Sequence, residues 1–199
     1  RVIVRGLLFI REKRLYTFGA AMPMQNRASM LAKLRDAYAV YFDEAAIPEG
    51  VDGLAACYAF YCTNECYVLS KKVKLWSAET NEYVYVFSMP ELTASAYAAC
   101  RDKAYALGMQ NIHPHFDHRS SFITAVFLCD RIAEDAAREV KRTRIHKDFM
   151  LSLKGWMDFR SAAVEMTSGA ICVNRAAKDL KAFLRGNLEK CNSIEEELH

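Results

Sequence analysis

One run of the sequence constrains the fold more than any other, namely residues 122–129, Phe-Ile-Thr-Ala-Val-Phe-Leu-Cys. It is the most strand-like segment of the chain, because β-branched and aromatic residues favour strands. Patterns typical of helices lie on both sides of it, at residues 91–107 and 134–142. The sequence therefore predicts a β-sheet with helices packed on it.

The segment that precedes this strand predicts a helix and three further strands. Asn26 or Ser29 can cap a helix that runs to about Phe42, since their side-chain oxygens accept the free N–H groups of a first turn. The apolar stripe of this helix has the helical period and consists of Leu31, Leu34, Tyr38 and Tyr41. The three strands are predicted at residues 54–62, 66–76 and 83–87, with connections at 63–65 and 79–81. Short strands joined in this way indicate an antiparallel meander.

Helix signals and one hairpin complete the chain. Ser88-Met-Pro-Glu91 has capping-box spacing, so the next helix is expected to begin there and to stop at Gly108. Acidic residues early and basic residues late in 134–142 suit a helix dipole. A hairpin of residues 156–165 and 170–173 is expected to follow, and then a helix from Asn174 to Gly186.

The predicted order is α-β-β-β-α-β-α-β-β-α, an α+β domain with an antiparallel-rich sheet of about six strands. A chain of 199 residues suits one domain, which we place at residues 26–188. Residues 1–25 are interpreted as an N-terminal arm or edge strand, or as a disordered segment. Residues 189–199 are interpreted as an acidic tail.

Charge and cysteine content limit the class of protein. The net charge of +3 is too small to argue for a nucleic-acid partner on its own. Seven cysteines lie mostly among apolar residues, where a thiol behaves as a small hydrophobe. We find no secretory leader or membrane span, so we expect reduced thiols, a cytoplasmic location and no membrane partner.

The segment His113-Pro-His115-Phe-Asp117-His118 holds three of the five histidines. Two histidines one residue apart can ligate one zinc ion, and the aspartate and histidine that follow can hold a second. This HxHxDH pattern resembles the first metal-binding motif of the metallo-β-lactamase superfamily. The resemblance implies a divalent metal, zinc or another, bound by His113, His115, Asp117 and His118 in a hydrolase.

The resemblance covers only these four positions. That superfamily has further histidine and acidic ligands downstream, where only His146 and His199 remain as histidines, and a strong strand follows this motif. The alternative is a polar helix-to-strand loop whose histidines make ordinary hydrogen bonds. On that alternative no cofactor is expected.

The densest basic run lies at residues 141–148, with Lys154 close behind. Contact with phosphate or nucleic acid would use Arg142, Arg144, Lys147 and Lys154. The alternative is a helix end followed by a solvated connection. Two smaller patterns favour structure over chemistry: Cys62 and Cys66 as strand thiols around a turn, and Asp158 and Arg160 as an ion pair on one strand face.

Two further resemblances concern larger parts of the chain. The order α-β-β-β-α-β resembles the core of PD-(D/E)xK nucleases, but Glu82 has no lysine two residues later and Glu139-Val-Lys141 lies on a predicted helix. Residues 30–188 resemble uncharacterised proteins of anaerobic Gram-positive bacteria. That resemblance rests on Lys71-Lys72, Phe116-Asp-His118, Leu153-Lys-Gly-Trp-Met-Asp158 and Asn174-Arg175. It implies one bacterial domain and no known activity.

Three functions are consistent with the sequence. The first is a non-enzymatic interaction or binding domain. One form of this hypothesis is that the domain acts as a homodimer. The second is a metal-dependent hydrolase centred on the HxHxDH motif, with His146 as a distant candidate ligand. The third is a nucleic-acid or phosphate binder that uses the basic run. The sequence leaves open whether the chain is an enzyme.

Overall fold

The computed structural model describes residues 26–68 and 73–197. The predicted N-terminal arm, residues 1–25, lies outside them. Four α-helices are found in this part of the chain: α1 Arg27–Tyr38, α2 Ala94–Asn111, α3 Glu134–Arg142 and α4 Leu180–Glu197. The strands are β1 Asp43–Ala45, β2 Leu54–Val68, β3 Val73–Leu92, β4 His118–Ile132, β5 His146–Asp148, β6 Trp156–Glu165 and β7 Ile171–Val173. A 3₁₀ turn, Arg175–Ala177, precedes α4.

The strands form one sheet in the order β1-β2-β3-β4-β6-β5, and β7 also pairs with β6. The pairs β3–β4 and β4–β6 are parallel, whereas the other pairs are antiparallel. The α+β class is confirmed, but the prediction of an antiparallel-rich sheet of about six strands is wrong, since the sheet is mixed and has seven strands. The physical reason is that α2 and α3 each carry the chain back across the sheet, which makes the central strands parallel.

The predicted meander of three short strands is one long hairpin of β2 and β3. Residues 63–65 and 79–81, predicted as connections, lie inside these strands. The capping-box pattern at residues 88–91 is also in a strand, because β3 stays paired with β4 as far as the pair Leu92 and Ile132. Helix α2 is instead capped by Thr93, whose Oγ1 accepts a hydrogen bond from the N–H of Ala96 at 3.2 Å.

Two predicted helix ends are also wrong, since α2 continues past Gly108 to Asn111 and α4 continues past Gly186. Gly108 lies where α2 packs against β4. A β-carbon at this position would come within 2.6 Å of the side chain of Ile123. Glycine is therefore required by the close packing of helix on sheet, which the sequence pattern did not distinguish from a helix stop.

Helices cover both faces of the sheet and bury two apolar cores. On one face α2 and α3 pack over aromatic side chains that include Phe87, Phe127 and Phe159. On the other face α1 and α4 pack over smaller side chains that include Val84 and Val126. Alternate residues of each central strand serve the two cores, as expected for strands buried on both sides. Among the described residues, no helix has both the length and the apolar character needed to cross a membrane.

Candidate functional site

The histidine-rich segment forms the connection between α2 and β4. His118 is buried, with Nδ1 2.7 Å from the carbonyl oxygen of Lys154 and Nε2 2.8 Å from Oγ of Ser121. A carbonyl can only accept, so Nδ1 carries a proton and donates it. Both ring nitrogens of His118 are thus engaged by the protein, and they tie β4 to the loop before β6.

The other residues of the HxHxDH motif lie around this connection. Nε2 of His115 is 2.9 Å from a carboxylate oxygen of Glu79, and Nδ1 accepts from the backbone N–H of Asp117. His113 is exposed. No group of three or more His, Cys, Asp or Glu side chains in residues 26–68 and 73–197 is arranged to hold a metal ion. The structure brings the histidines into separate hydrogen bonds and does not gather the four side chains around one point.

The residues of the basic run have different surroundings. Lys147 lies over the ring of Phe149, and Lys154 lies over the ring of Phe116 at 5.4 Å. Arg142 ends α3, whereas Arg144 lines a cleft at the edge of the sheet. Of the four predicted phosphate contacts, Arg144 lines a cleft that the described residues form.

The predicted pairing of Asp158 with Arg160 is wrong, because each has another partner. Asp158 is 2.7 Å from Nδ1 of His146, and the carboxylate of Asp148 is 3.2 Å from Nε2 of the same ring. Strands β5 and β6 pair at these residues, which brings both carboxylates to His146. The hydrogen bond to Asp158 raises the pKa of His146 above its ordinary value of 6.5.

We expect an NMR titration of His146 to give a pKa above 6.5, and Asp158→Asn to lower it more than Asp148→Asn does, since Asp158 makes the shorter contact. The folded-state pKa exceeds the unfolded one. This pair therefore stabilises the protein fully below the unfolded pKa, and the contribution is lost as pH rises through the folded pKa. A wild-type pKa of 6.5 or less would contradict the assignment.

The most unusual polar group of the sheet is Arg160, whose side chain is only 7% exposed. Its Nη1 is 3.0 Å from Oε1 of Glu82, and its Nη2 donates to the carboxylate of Asp179. The same Glu82 oxygen accepts from Oγ1 of Thr124 at 2.6 Å. We call these four residues the Arg160 network. Glu82, Thr124 and Arg160 lie on the face of β3, β4 and β6 that α1 and α4 cover, because Val84, Thr124 and Arg160 are in register.

A cavity of about 320 Å³ opens beside this network, between the end of α1 and the start of α4. Its polar lining includes Tyr38, Glu82 and Arg160, and its apolar lining includes Phe42 and Phe183. Tyr38 is buried, with its ring stacked on Tyr58 at 5.0 Å. We call this cavity the Tyr38 pocket.

Two buried donors of the Tyr38 pocket have no hydrogen-bond partner among the described residues, namely the hydroxyl of Tyr38 and Nε of Arg160. Burial, with the nearby charge of Glu82, raises the pKa of Tyr38 well above its ordinary value, so the hydroxyl keeps its proton at neutral pH. Buried donors are nearly always paired, and leaving one unpaired costs about 1–3 kcal/mol. The residues that carry both donors line the pocket, so an acceptor atom bound there lies near two unpaired donors.

Sequence reasoning placed Tyr38 in a core stripe and assigned Arg160 to another partner. A signal was present, because Glu82 and Arg160 are charged residues close to the apolar runs at residues 83–87 and 162–164 of their strands. Because Glu82 and Arg160 are 78 residues apart in the sequence, no local pattern predicted that they pair.

Burial also decides the character of the cysteine thiols. It raises the pKa of Cys57 to about 11 and that of Cys129 to about 12, so both stay protonated at neutral pH. Neither is a candidate nucleophile, since the thiolate is the reactive form.

A family model described as "Domain of unknown function (DUF8052)" matches residues 26–186. The match confirms the resemblance to an uncharacterised family, and no match to the metallo-β-lactamase superfamily accompanies it. No curated protein and no solved structure matches the chain.

Proposed function

The chain belongs to the DUF8052 family, a family of unknown function, and we propose that it is a binding domain for a small organic molecule that occupies the Tyr38 pocket. One observation carries the proposal: the Tyr38 hydroxyl and Arg160 Nε are buried donors with no partner among the described residues, and both residues line the same cavity. Binding sites are commonly apolar cavities with a few polar groups that fix the ligand.

The Tyr38 pocket is suited to a particular class of ligand. Its donors call for an acceptor oxygen, and its walls of Phe42, Phe183 and Leu180 call for an apolar or aromatic body. The positive charge of Arg160 is already offset by Glu82 and Asp179, so a third carboxylate would meet like charge. An uncharged carbonyl compound, such as a ketone or an amide, fits these conditions best.

The side chains of the Tyr38 pocket are held in place by their neighbours, which favours ligand binding over catalysis. Arg160 is held by two carboxylates, and Tyr38 is held by its stacked neighbour, so both donors are positioned before a ligand arrives. Pre-organised donors cost little ordering entropy when they bind. The metal-dependent hydrolase suggested by the HxHxDH motif has no comparable support from the contacts of its histidines.

The test is a ligand-observed NMR screen with small aromatic ketones and amides, together with the matching carboxylates. We expect ketones or amides to bind and Tyr38→Phe to weaken them about three- to tenfold, the worth of one hydrogen bond. Tyr58→Phe is the matched control, because it removes the hydroxyl of the stacked ring, which does not line the pocket.

Two outcomes would contradict the proposal. One is equal binding of the compounds to wild type, Tyr38→Phe and Tyr58→Phe, which would place the ligand elsewhere. The other is a screen in which no carbonyl compound binds. Carboxylates that bind more tightly than the matching amides would refute the proposed ligand class.

A further inference from the structure

A second candidate site lies at the edge of the sheet, away from the Tyr38 pocket. Two adjoining clefts, of about 530 and 540 Å³, share Asn174 and Arg175. The first also contains Arg144 and His146, and the second contains Lys178 and Lys181. Together they form one continuous groove along the start of β5, the 3₁₀ turn and the first turn of α4, which we call the edge groove.

The fold builds the floor of the edge groove by leaving a gap beside β6. Strand β5 pairs with residues 156–158 of β6 and β7 pairs with residues 162–164. Asn174 fills the gap between them: its Oδ1 accepts from the N–H of Ser161, and its Nδ2 donates to the carbonyls of Phe159 and Thr143. These backbone groups are therefore satisfied, and the floor is neutral and fixed.

The rim of the edge groove is basic. Four exposed cations border it, and none of them forms an ion pair with a described residue: Arg144, Arg175, Lys178 and Lys181. One carboxylate, Asp158, also lines the first cleft, where it is paired with His146. The nearby Asp179 is paired with Arg160. Unpaired cations along a groove create a positive potential that attracts anions.

The arrangement of these cations follows from the local structure. Arg175, Lys178 and Lys181 are three residues apart, which places them on one side of the 3₁₀ turn and the first turn of α4. Arg144 lies on the other side of the groove, just before β5. A row of cations with a facing cation suits an extended chain of negative charges better than a single ion.

We propose that the edge groove binds the phosphate groups of a polyphosphate chain, either a free polyphosphate or the backbone of a single-stranded nucleic acid. Each phosphate along such a chain meets one cation of the row, and Arg144 contacts the chain from the other side. The groove replaces the basic run as the phosphate contact, since it keeps Arg144 and takes its other cations from residues 175–181.

The test uses two probes with the full chain, tripolyphosphate and a labelled oligothymidine of about twelve nucleotides. The groove variant is Arg175→Ala/Lys178→Ala/Lys181→Ala, in which all three changes are at exposed positions. We expect it to bind a probe at least about tenfold more weakly than wild type does. The slope of log affinity against log salt should fall by about two, since each lost phosphate contact on a single strand removes about 0.7.

The matched control is Arg142→Ala/Lys147→Ala/Lys154→Ala, which removes the same charge outside the edge groove. It should bind both probes nearly as wild type does. Binding of tripolyphosphate alone would identify a small phosphorylated ligand, whereas competition between both probes would identify a nucleic-acid backbone; either supports the groove. Equal weakening in the two variants, or no binding of either probe to wild type, would overturn the proposal.

Discussion

Replacing Arg160 with alanine is expected to lower the free energy of unfolding by about 3–5 kcal/mol, the range for breaking a buried ion pair. Most of this loss of stability arises from Glu82, whose side chain is only 15% exposed and would keep its charge without its partner. Asp179 contributes little, because its side chain is 72% exposed and water can solvate it. Urea unfolding followed by tryptophan fluorescence measures the change.

Companion variants separate charge from packing at this position. Arg160→Met combined with Glu82→Gln should recover much of the loss, because neither residue then carries a buried charge. Arg131→Ala is the surface control, since its pair with Glu91 is exposed on both sides and should change stability by less than about 0.5 kcal/mol. If Arg160→Ala costs no more than Arg131→Ala does, the Arg160 network does not hold the sheet as described.

Replacing Gly155 with alanine is expected to destabilise the protein by about 2–5 kcal/mol, the sum of backbone strain and overpacking. The residue has φ of +77°, which disfavours any side chain. A β-carbon there would lie 2.5 Å from the carbonyl oxygen of His118 and 2.6 Å from that of Arg119. Backbone atoms of β4 cannot give way easily, and relief would disturb the bond from His118 to the Lys154 carbonyl.

Gly50→Ala is the matched control for this second prediction. Gly50 has a similar φ of +72°, but a β-carbon there would meet nothing within 4 Å. Gly50→Ala should therefore lower the free energy of unfolding only by the strain of a left-handed residue, about 1–2 kcal/mol. The difference between the two variants in urea unfolding measures the contact of Gly155 with β4. Equal losses would contradict that contact.

The sequence by itself determined the local elements of the fold. Alternation and helical periodicity predicted the α+β class and a strand at residues 122–129, which lies within β4. Local rules also predicted Asn26 or Ser29 as the cap of the first helix, and Asn26 is the cap of α1. They predicted Asn174 as the cap of the last helix, whereas it caps the 3₁₀ turn that precedes α4. These features depend on interactions between residues a few positions apart, so the local sequence pattern is enough to predict them.

Only the tertiary structure decided strand direction, strand length and the candidate sites. Pairing with β4 kept residues 88–91 in β3 against a strong capping signal. The Arg160 network joins residues of three strands to Asp179, which lies just before α4. The edge groove joins Arg144 to residues 175–181. Such contacts depend on how distant segments pack to bury both faces of the sheet, and no periodicity within a short segment encodes that packing.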